Sequence, residues 1–333
     1  MNTAGNTLKL GTTLYSLTTE FYSKRFSFEE LVRKVASENI GPGLEVVGFQ
    51  SIKGFPVVCD EFAAKFKDLL AETALIPTCL GVNTDLWINP NRPMSEDENV
   101  QYHERQLEAA AKLGFTLVRY QLLAGPSVIE RCLPCAERLG VKMGLEIHAP
   151  HHAQHPDIIE FREMYERVGS PMLGFIPDFG STSRAVPPSF LAAQRAKGVP
   201  DELIALSEKI WLAEGKSSER KSHYIDAARA QGFDEHWILS LAGMFSLFGR
   251  AKPESWMEIM PQVIHIHGKF FDFDEQGDEV SVDMARILPL VVESGYDGFM
   301  SSEYEGHIWS EEDGFEKIKR HHALARRILS SLD

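Results

Sequence analysis

Four side chains with metal-binding chemistry close four short apolar runs: Glu146 in GLEIHAP, Asp178 in GFIPDFG, His267 in VIHIHGKF and Glu303 in FMSSEYEG. Three carboxylates and one imidazole suit a divalent ion that prefers oxygen, so Mn²⁺ is expected first, with Mg²⁺, Co²⁺ and Zn²⁺ as alternatives. A cysteine-rich set would instead have pointed to structural zinc. Any one of these carboxylates, buried without a counter-charge, would be strongly disfavoured; a bound dication supplies that charge.

Side chains alternate along a strand, so His148 shares a face with Glu146, His265 with His267, and Glu305 with Glu303 if that strand continues. His148 lies beyond its neighbouring ligand, toward the strand's carboxyl end. An imidazole there suits general acid–base work near neutral pH; the alternative is a capping or ligand-orienting role. Lys269 either contacts a substrate oxygen and stabilises an enolate or forms a structural ion pair. Glu305 is a third catalytic candidate, and the substitute ligand for Glu303 should the register differ. His265, inward but deeper, is read as a hydrogen-bonding neighbour of the ligands and a candidate substrate contact. Tyr15, ending the first apolar run, and Tyr120 and Gln121, ending the fourth, are candidates to line a pocket. His151 belongs to a loop cluster with His152 and His155 that either reaches substrate or is incidental. Glu45 either binds sugar hydroxyls or forms a salt bridge inside the fold.

Bringing these groups together requires strands whose carboxyl ends converge. Apolar runs of strand length alternate with segments of helical period, the mark of βα units in a parallel sheet. Eight strands are placed near residues 8–15, 43–48, 75–80, 116–121, 143–148, 172–177, 262–267 and 298–303. Segments such as 28–38, 58–72, 99–113, 127–139, 156–168 and 283–294 repeat apolar residues three and four apart, as amphipathic helices do. Gly114, Gly140, Gly169 and Gly295 fall where such helices should stop. The expected fold is α/β, a (β/α)8 barrel forming one domain over residues 1–333. Asp178 and His267 stand 89 positions apart, against 32 from Glu146 to Asp178 and 36 from His267 to Glu303. A long insertion between strands 6 and 7, about 180–260, therefore lies on the loop side that builds barrel active sites. It is either a stabilising decoration or a lid or partner-docking region.

The chain of 333 residues is 44% hydrophobic, enough for one large core. Its net charge of −14 opposes a phosphate backbone, so nucleic acid is excluded as a partner. The opening MNTAGNTLKLGTTLYSL lacks the basic and apolar segments of a secretory signal, and no run of about 18 apolar residues occurs. A membrane partner is not expected, and a cytoplasmic setting is. Four cysteines, Cys59, Cys79, Cys132 and Cys135, are too few for a disulfide scaffold. The CxxC spacing of Cys132 and Cys135 has no second pair and a helical context, which favours a structural role.

Taken in order, GLEIHAP, PDFG, HIHGK and SEYEG resemble the sugar isomerase/epimerase superfamily of xylose-isomerase-like TIM barrels, over essentially the whole chain. The resemblance implies that Glu146, Asp178, His267 and Glu303 hold a catalytic divalent ion and that the reaction removes a proton beside a sugar carbonyl. Reprotonation would then give a ketose 3-epimerase or an aldose–ketose isomerase, and loss of a β-substituent a lyase. Glu-Ile-His on the fifth strand, the long sixth connection, and HIHGKF followed by SSEYEGH look more like the large (alpha) subunit of C-glycoside deglycosidases. That likeness implies cleavage of 3-oxo-C-glycosides by β-elimination, His148 as acid/base, and a small β-rich partner subunit in a hetero-oligomer. Two other readings stand beside it. An apurinic-site nuclease of similar topology would use more histidine ligands and a basic face, which the charge opposes. A non-catalytic scaffolding barrel would not need the four ligands.

Overall fold

A computed structural model describes residues 8–332; the part of the opening segment numbered 1–7 and Asp333 lie outside the described residues. Eight parallel strands run in chain order: β1 Lys9–Thr13, β2 Gly43–Val47, β3 Ile76–Gly81, β4 Leu117–Tyr120, β5 Lys142–Ile147, β6 Leu173–Pro177, β7 Ile266–Phe270 and β8 Phe299–Tyr304. They form one sheet in the order β6-β5-β4-β3-β2-β1-β8-β7. Its two edges meet through single bridges, Phe175 with Val263 and Asp178 with His267, which brings the sheet close to a closed (β/α)8 barrel. A closing bridge therefore joins two of the four expected ligands.

Helices between the strands begin and end as the sequence dictates. Ser27 with Glu30 and Ser95 with Glu98 form reciprocal capping boxes ahead of helices Phe28–Ser37 and Glu96–Leu113. Gly114 and Gly140 close their helices at φ 93° and 66°, a region that penalises a side chain. Leucine, valine and phenylalanine on the helix undersides pack against the barrel's outer face in one continuous core. A smaller apolar floor of Cys79, Leu117 and Ile176 plugs the barrel's interior. Above that floor the interior is polar and charged.

The expected strand boundaries agree with the observed ones within about two residues, except at the seventh. That strand was placed at 262–267, but 3-10 turns at Pro253–Glu258 and Met260–Gln262 occupy the approach, and β7 starts at Ile266. His265 consequently lies just before the strand.

Between β6 and β7 the chain folds into helices Pro188–Ala196, Asp201–Trp211, Ser217–Ala230, Glu235–Ala242 and Met244–Leu247. Trp211, Tyr224, Phe245 and Phe248 are fully buried here, and each such side chain contributes roughly 1.5–3 kcal/mol of burial. Trp211 Nε1 donates to Phe248 O at 3.0 Å. Phe190 packs edge-on against Trp309 beyond β8, and Ser189 N donates to Asp272 Oδ2 at 2.8 Å. The long connection is thus a packed helical layer seated on the loops after β7 and β8.

Candidate metal centre

Glu146 on β5, Asp178 just past β6, His267 on β7 and Glu303 on β8 converge at the carboxyl end of the barrel, all buried. One donor atom from each lies within 4.8 Å of all the others. In the parallel register Glu303 lies two residues beyond Ser301, the partner of His267, and Asp178 two beyond Ile176, the partner of Glu146, while Asp178 bridges directly to His267.

Beneath the cluster lies Glu45 of β2, fully buried. Its carboxylate accepts from His267 Nε2 at 3.0 Å and from His265 Nε2 at 3.2 Å. Burial raises the Glu45 carboxyl, but His267 and His265 outweigh it and hold the group below the usual carboxylate range. With Nε2 committed to Glu45, the other nitrogen of His267 faces the cluster, Nδ1 standing 2.9 Å from Glu146 Oε1 and 3.4 Å from Glu303 Oε2. A carboxylate behind a ligating imidazole fixes which nitrogen is presented. Glu45 therefore forms the salt bridge inside the fold, the second of its two sequence readings.

Arg119 on β4 completes the floor: Nη1 donates to Glu146 Oε2 at 2.7 Å, and Nε lies 3.6 Å from Glu45. Gly81 on the neighbouring strand makes room for it, since a Cβ there would meet Arg119 Nη2 at 2.7 Å. Gln121 shares that face and donates to the same Glu146 oxygen at 3.1 Å. Sequence reasoning picked Gln121 but missed Arg119, although the two-residue alternation that joined His148 to Glu146 joins these as well. Tyr120, between them, points outward and shares a hydrogen bond with Tyr165, so it does not line the pocket.

Lys269 reaches the cluster from β7, with Nζ 2.8 Å from Asp178 Oδ2, 3.0 Å from Glu305 Oε2 and 3.6 Å from Glu303 Oε2. Burial lowers the ammonium, but Asp178, Glu303 and Glu305 outweigh it and keep Lys269 charged. Burial pushes Asp178 up to about 7 against the pull of Lys269. His267 is held in its charged form by Glu45 and Glu303 despite burial. The centre is rich in carboxylates, and the His267 imidazolium, the Lys269 ammonium and the Arg119 guanidinium supply its cations.

The residues present fit a divalent ion. Asp178 Oδ2 and Glu303 Oε2 are buried without a well-directed hydrogen bond, a cost a cation would relieve. Three oxygens and one nitrogen form the donor set named from the sequence, and His267 Nδ1 would exchange its proton for the ion. Glu45, His265 and His267 are equally close together, but hydrogen bonds account for that group.

A cavity of about 300 Å³ opens above the centre, lined among others by Tyr15, Tyr22, Phe49, Gln121, His148, Lys269 and Glu305. His148 follows β5 and shares a hydrogen between Nδ1 and Ala149 O at 2.6 Å. A carbonyl only accepts, so Nδ1 carries the hydrogen and Nε2 the free lone pair. Tyr15 OH donates to Glu305 Oε1 at 3.4 Å. Burial, reinforced by Glu305 and Glu303, keeps that phenol protonated.

Two expected substrate contacts are placed elsewhere. His265 lies deep in the barrel on Glu45 and on Ser301 Oγ at 2.9 Å, away from the cavity wall, because it precedes the strand by one residue. His151 turns toward His155 and Asp157 on the outer side of the β5 loop. Among the described residues, none from the 180–260 connection lines the cavity. Cys132 and Cys135 are buried on helix Pro126–Leu139 as free thiols, and burial pushes Cys132 up to about 12, so this CxxC is structural.

A nearly closed parallel barrel with a buried carboxylate–imidazole cluster at its carboxyl end defines a class, and the family pattern agrees: the chain belongs to the xylose isomerase-like TIM barrel family, matched over residues 43–323. Within that class it is similar to a C-glycoside deglycosidase alpha subunit of Arthrobacter globiformis, 42% identical over 95% of this chain and 89% of the relative. It is also similar to a 3'-dehydrocarminate deglycosidase alpha subunit of a Microbacterium species, 40% identical over 98% of this chain and 96% of the relative. Among solved structures, a 3-keto-D-glucoside 4-epimerase from E. coli shares the fold at a TM-score of 0.55 and 14% identity, covering 96% of this chain and 99% of that one. A D-psicose 3-epimerase does so at 0.56 and 13%, covering 97% and 99%.

Proposed function

We propose that this chain is the metal-dependent alpha subunit of a C-glycoside deglycosidase, a carbon–carbon lyase acting on 3-oxo-C-glycosides by β-elimination. The observation that carries the reading is the buried Glu146, Asp178, His267 and Glu303 cluster opening directly onto a cavity lined by His148, Lys269 and Glu305. The names of relatives about 40% identical over nearly the full chain support the same reading.

The three carboxylates and His267 would hold the ion, with Mn²⁺ first and Mg²⁺, Co²⁺ or Zn²⁺ as alternatives. Bound there, a divalent ion polarises a substrate carbonyl. The chain's own residues do the rest. His148 Nε2 takes the proton from the sugar carbon between the 3-carbonyl and the anomeric carbon. Lys269 Nζ meets the charge that develops on the carbonyl oxygen. The C1–C2 double bond then forms as the bond from C1 to the aglycone breaks, and the departing carbon receives a proton from His148. Glu305 holds Lys269 in place and, through Tyr15, borders the substrate; Gln121 contacts the sugar from β4. Tyr22 and Phe49 border the cavity at its mouth.

A small β-rich second subunit completes the hetero-oligomer in this reading, with the 180–260 helical layer as a docking surface. Among the described residues no helix is long and apolar enough to cross a membrane. A cytoplasmic setting is part of the proposal and accords with four free cysteines.

The test is to load the purified chain with Mn²⁺, alone and co-expressed with a small partner, and to follow release of free aglycone from a 3-oxo-C-glycoside. Aglycone release lost in Glu146→Ala together with bound metal supports the lyase. Carbon-bound deuterium in a ketose incubated in D₂O, with no aglycone released from the glycoside, would replace it by a 3-epimerase or isomerase.

A further inference from the structure

The loop after β5 carries His148, His151, His152 and His155, followed by Asp157. Of these, the cavity takes only His148. His151 and His155 pack edge to face with ring centroids 4.5 Å apart. His151 Nε2 lies 3.6 Å, and His155 Nδ1 3.7 Å, from the same oxygen, Asp157 Oδ2. One donor atom from each of the three falls within 4.8 Å of the other two. Zinc bonds of about 2.0–2.2 Å in a tetrahedron set donor atoms roughly 3.3–3.6 Å apart. The two contacts to Asp157 come close to that spacing, and the His151 and His155 donors lie within 4.8 Å of each other.

Hydrogen bonding does not account for the cluster. Distances of 3.6 and 3.7 Å are too long for it. His155 Nδ1 receives one long bond, 3.4 Å, from Asp157 N. Two imidazoles and one carboxylate are a softer set than the barrel's three carboxylates and one imidazole, and suit zinc rather than manganese or magnesium. Asp157 and its neighbours remain partly exposed, which leaves a fourth position for water. The start of helix Pro156–Val168 weakly opposes a cation, an effect small beside inner-sphere bonds.

We propose that His151, His155 and Asp157 form a second, zinc-type metal site on the rim, separate from the barrel cluster. The site would clasp the segment that carries His148 to the start of helix Pro156–Val168: His148 stands edge-on to His151 at 6.2 Å between centroids, and the His155 Nδ1 lone pair, which receives Asp157 N in the absence of the ion, would turn to the ion. It does not depend on the deglycosidase reading.

The experiment is zinc stoichiometry on the full chain, stripped with chelator, titrated with Zn²⁺ and analysed for bound metal after desalting. His155→Ser keeps an N-capping oxygen while removing the imidazole, and Asp157→Asn keeps the shape while removing the charge. Each is expected to hold one zinc per chain fewer than wild type, and His152→Ala to hold as many as wild type. Replacing Zn²⁺ by Co²⁺ should give intense tetrahedral visible bands that both ligand variants lose. Unchanged stoichiometry in His155→Ser and Asp157→Asn, or an equal loss in His152→Ala, would overturn the site.

Discussion

Glu45 touches neither the cavity nor the four ligating atoms, yet it should control metal affinity. Its carboxylate holds His267 Nε2 at 3.0 Å and His265 Nε2 at 3.2 Å, and sits 3.6 Å from Arg119 Nε, in a place with no solvent exposure. Glu45→Gln keeps the shape and one acceptor but removes the charge that favours Nε2–H on His267 and leaves Nδ1 free for the ion. Loss of such an outer partner costs about 10- to 100-fold in metal affinity, or about 1.4–2.7 kcal/mol. For Glu45→Gln we expect the lower end. For Glu45→Ala, which also strands His265 and half of the Arg119 contact, we expect the upper end or beyond. Calorimetric titration of Mn²⁺ into the chelator-stripped chain, beside circular dichroism to establish folding, measures both. Wild-type affinity in a folded Glu45→Ala protein would refute the argument, because His267 would then need no carboxylate behind it.

Three further predictions follow from particular contacts. His148→Ala should retain bound metal and lose aglycone release by about 10²- to 10⁴-fold, the span of one general acid–base group; wild-type turnover in that variant would remove His148 from the chemistry. Gly81→Ala places a Cβ 2.7 Å from Arg119 Nη2 and 3.4 Å from Val47 Cα, so it should lower stability by about 1–3 kcal/mol and weaken the grip of Arg119 on Glu146; an unchanged melting temperature with unchanged metal affinity would contradict it. Burial pushes His103 and His322 down to about 4 each, below the ordinary 6.5, so the unfolded chain binds more protons than the folded one between those values. Stability is then complete above pH 6.5 and falls as pH drops toward 4, by about 2 kcal/mol per histidine at pH 5. Denaturant titrations at pH 7 and 5 on wild type and His103→Gln should show the shallower fall in the variant, and equal falls would count against it.

How much of this was legible in the residues depended on whether neighbours in sequence or neighbours in space decided the matter. Alternating strand and helix patterns carry the barrel because each βα unit is specified locally, by runs such as GLEIHAP and by caps such as Ser95 with Glu98. The four side chains of the candidate cluster were readable for the same reason: each is a polar residue ending an apolar run, and a parallel barrel brings such ends together. Arg119 and Glu45 were harder, since a charged residue inside a strand gives no sign of its partner until β2, β4 and β7 are brought face to face across the barrel. The seventh strand was placed too early because turn residues around Pro261 delay it, a competition that periodicity does not register, while His265 keeps the deeper inward position that alternation gave it. The opposed pulls on Asp178 were still further out of reach, because they come from burial acting against Lys269 and both exist only once the barrel has closed. What sequence supplies is thus the list of groups that reach the mouth; which of them orient, neutralise or hold the others is decided by contacts across the barrel, and those contacts determine how firmly a cation would be held.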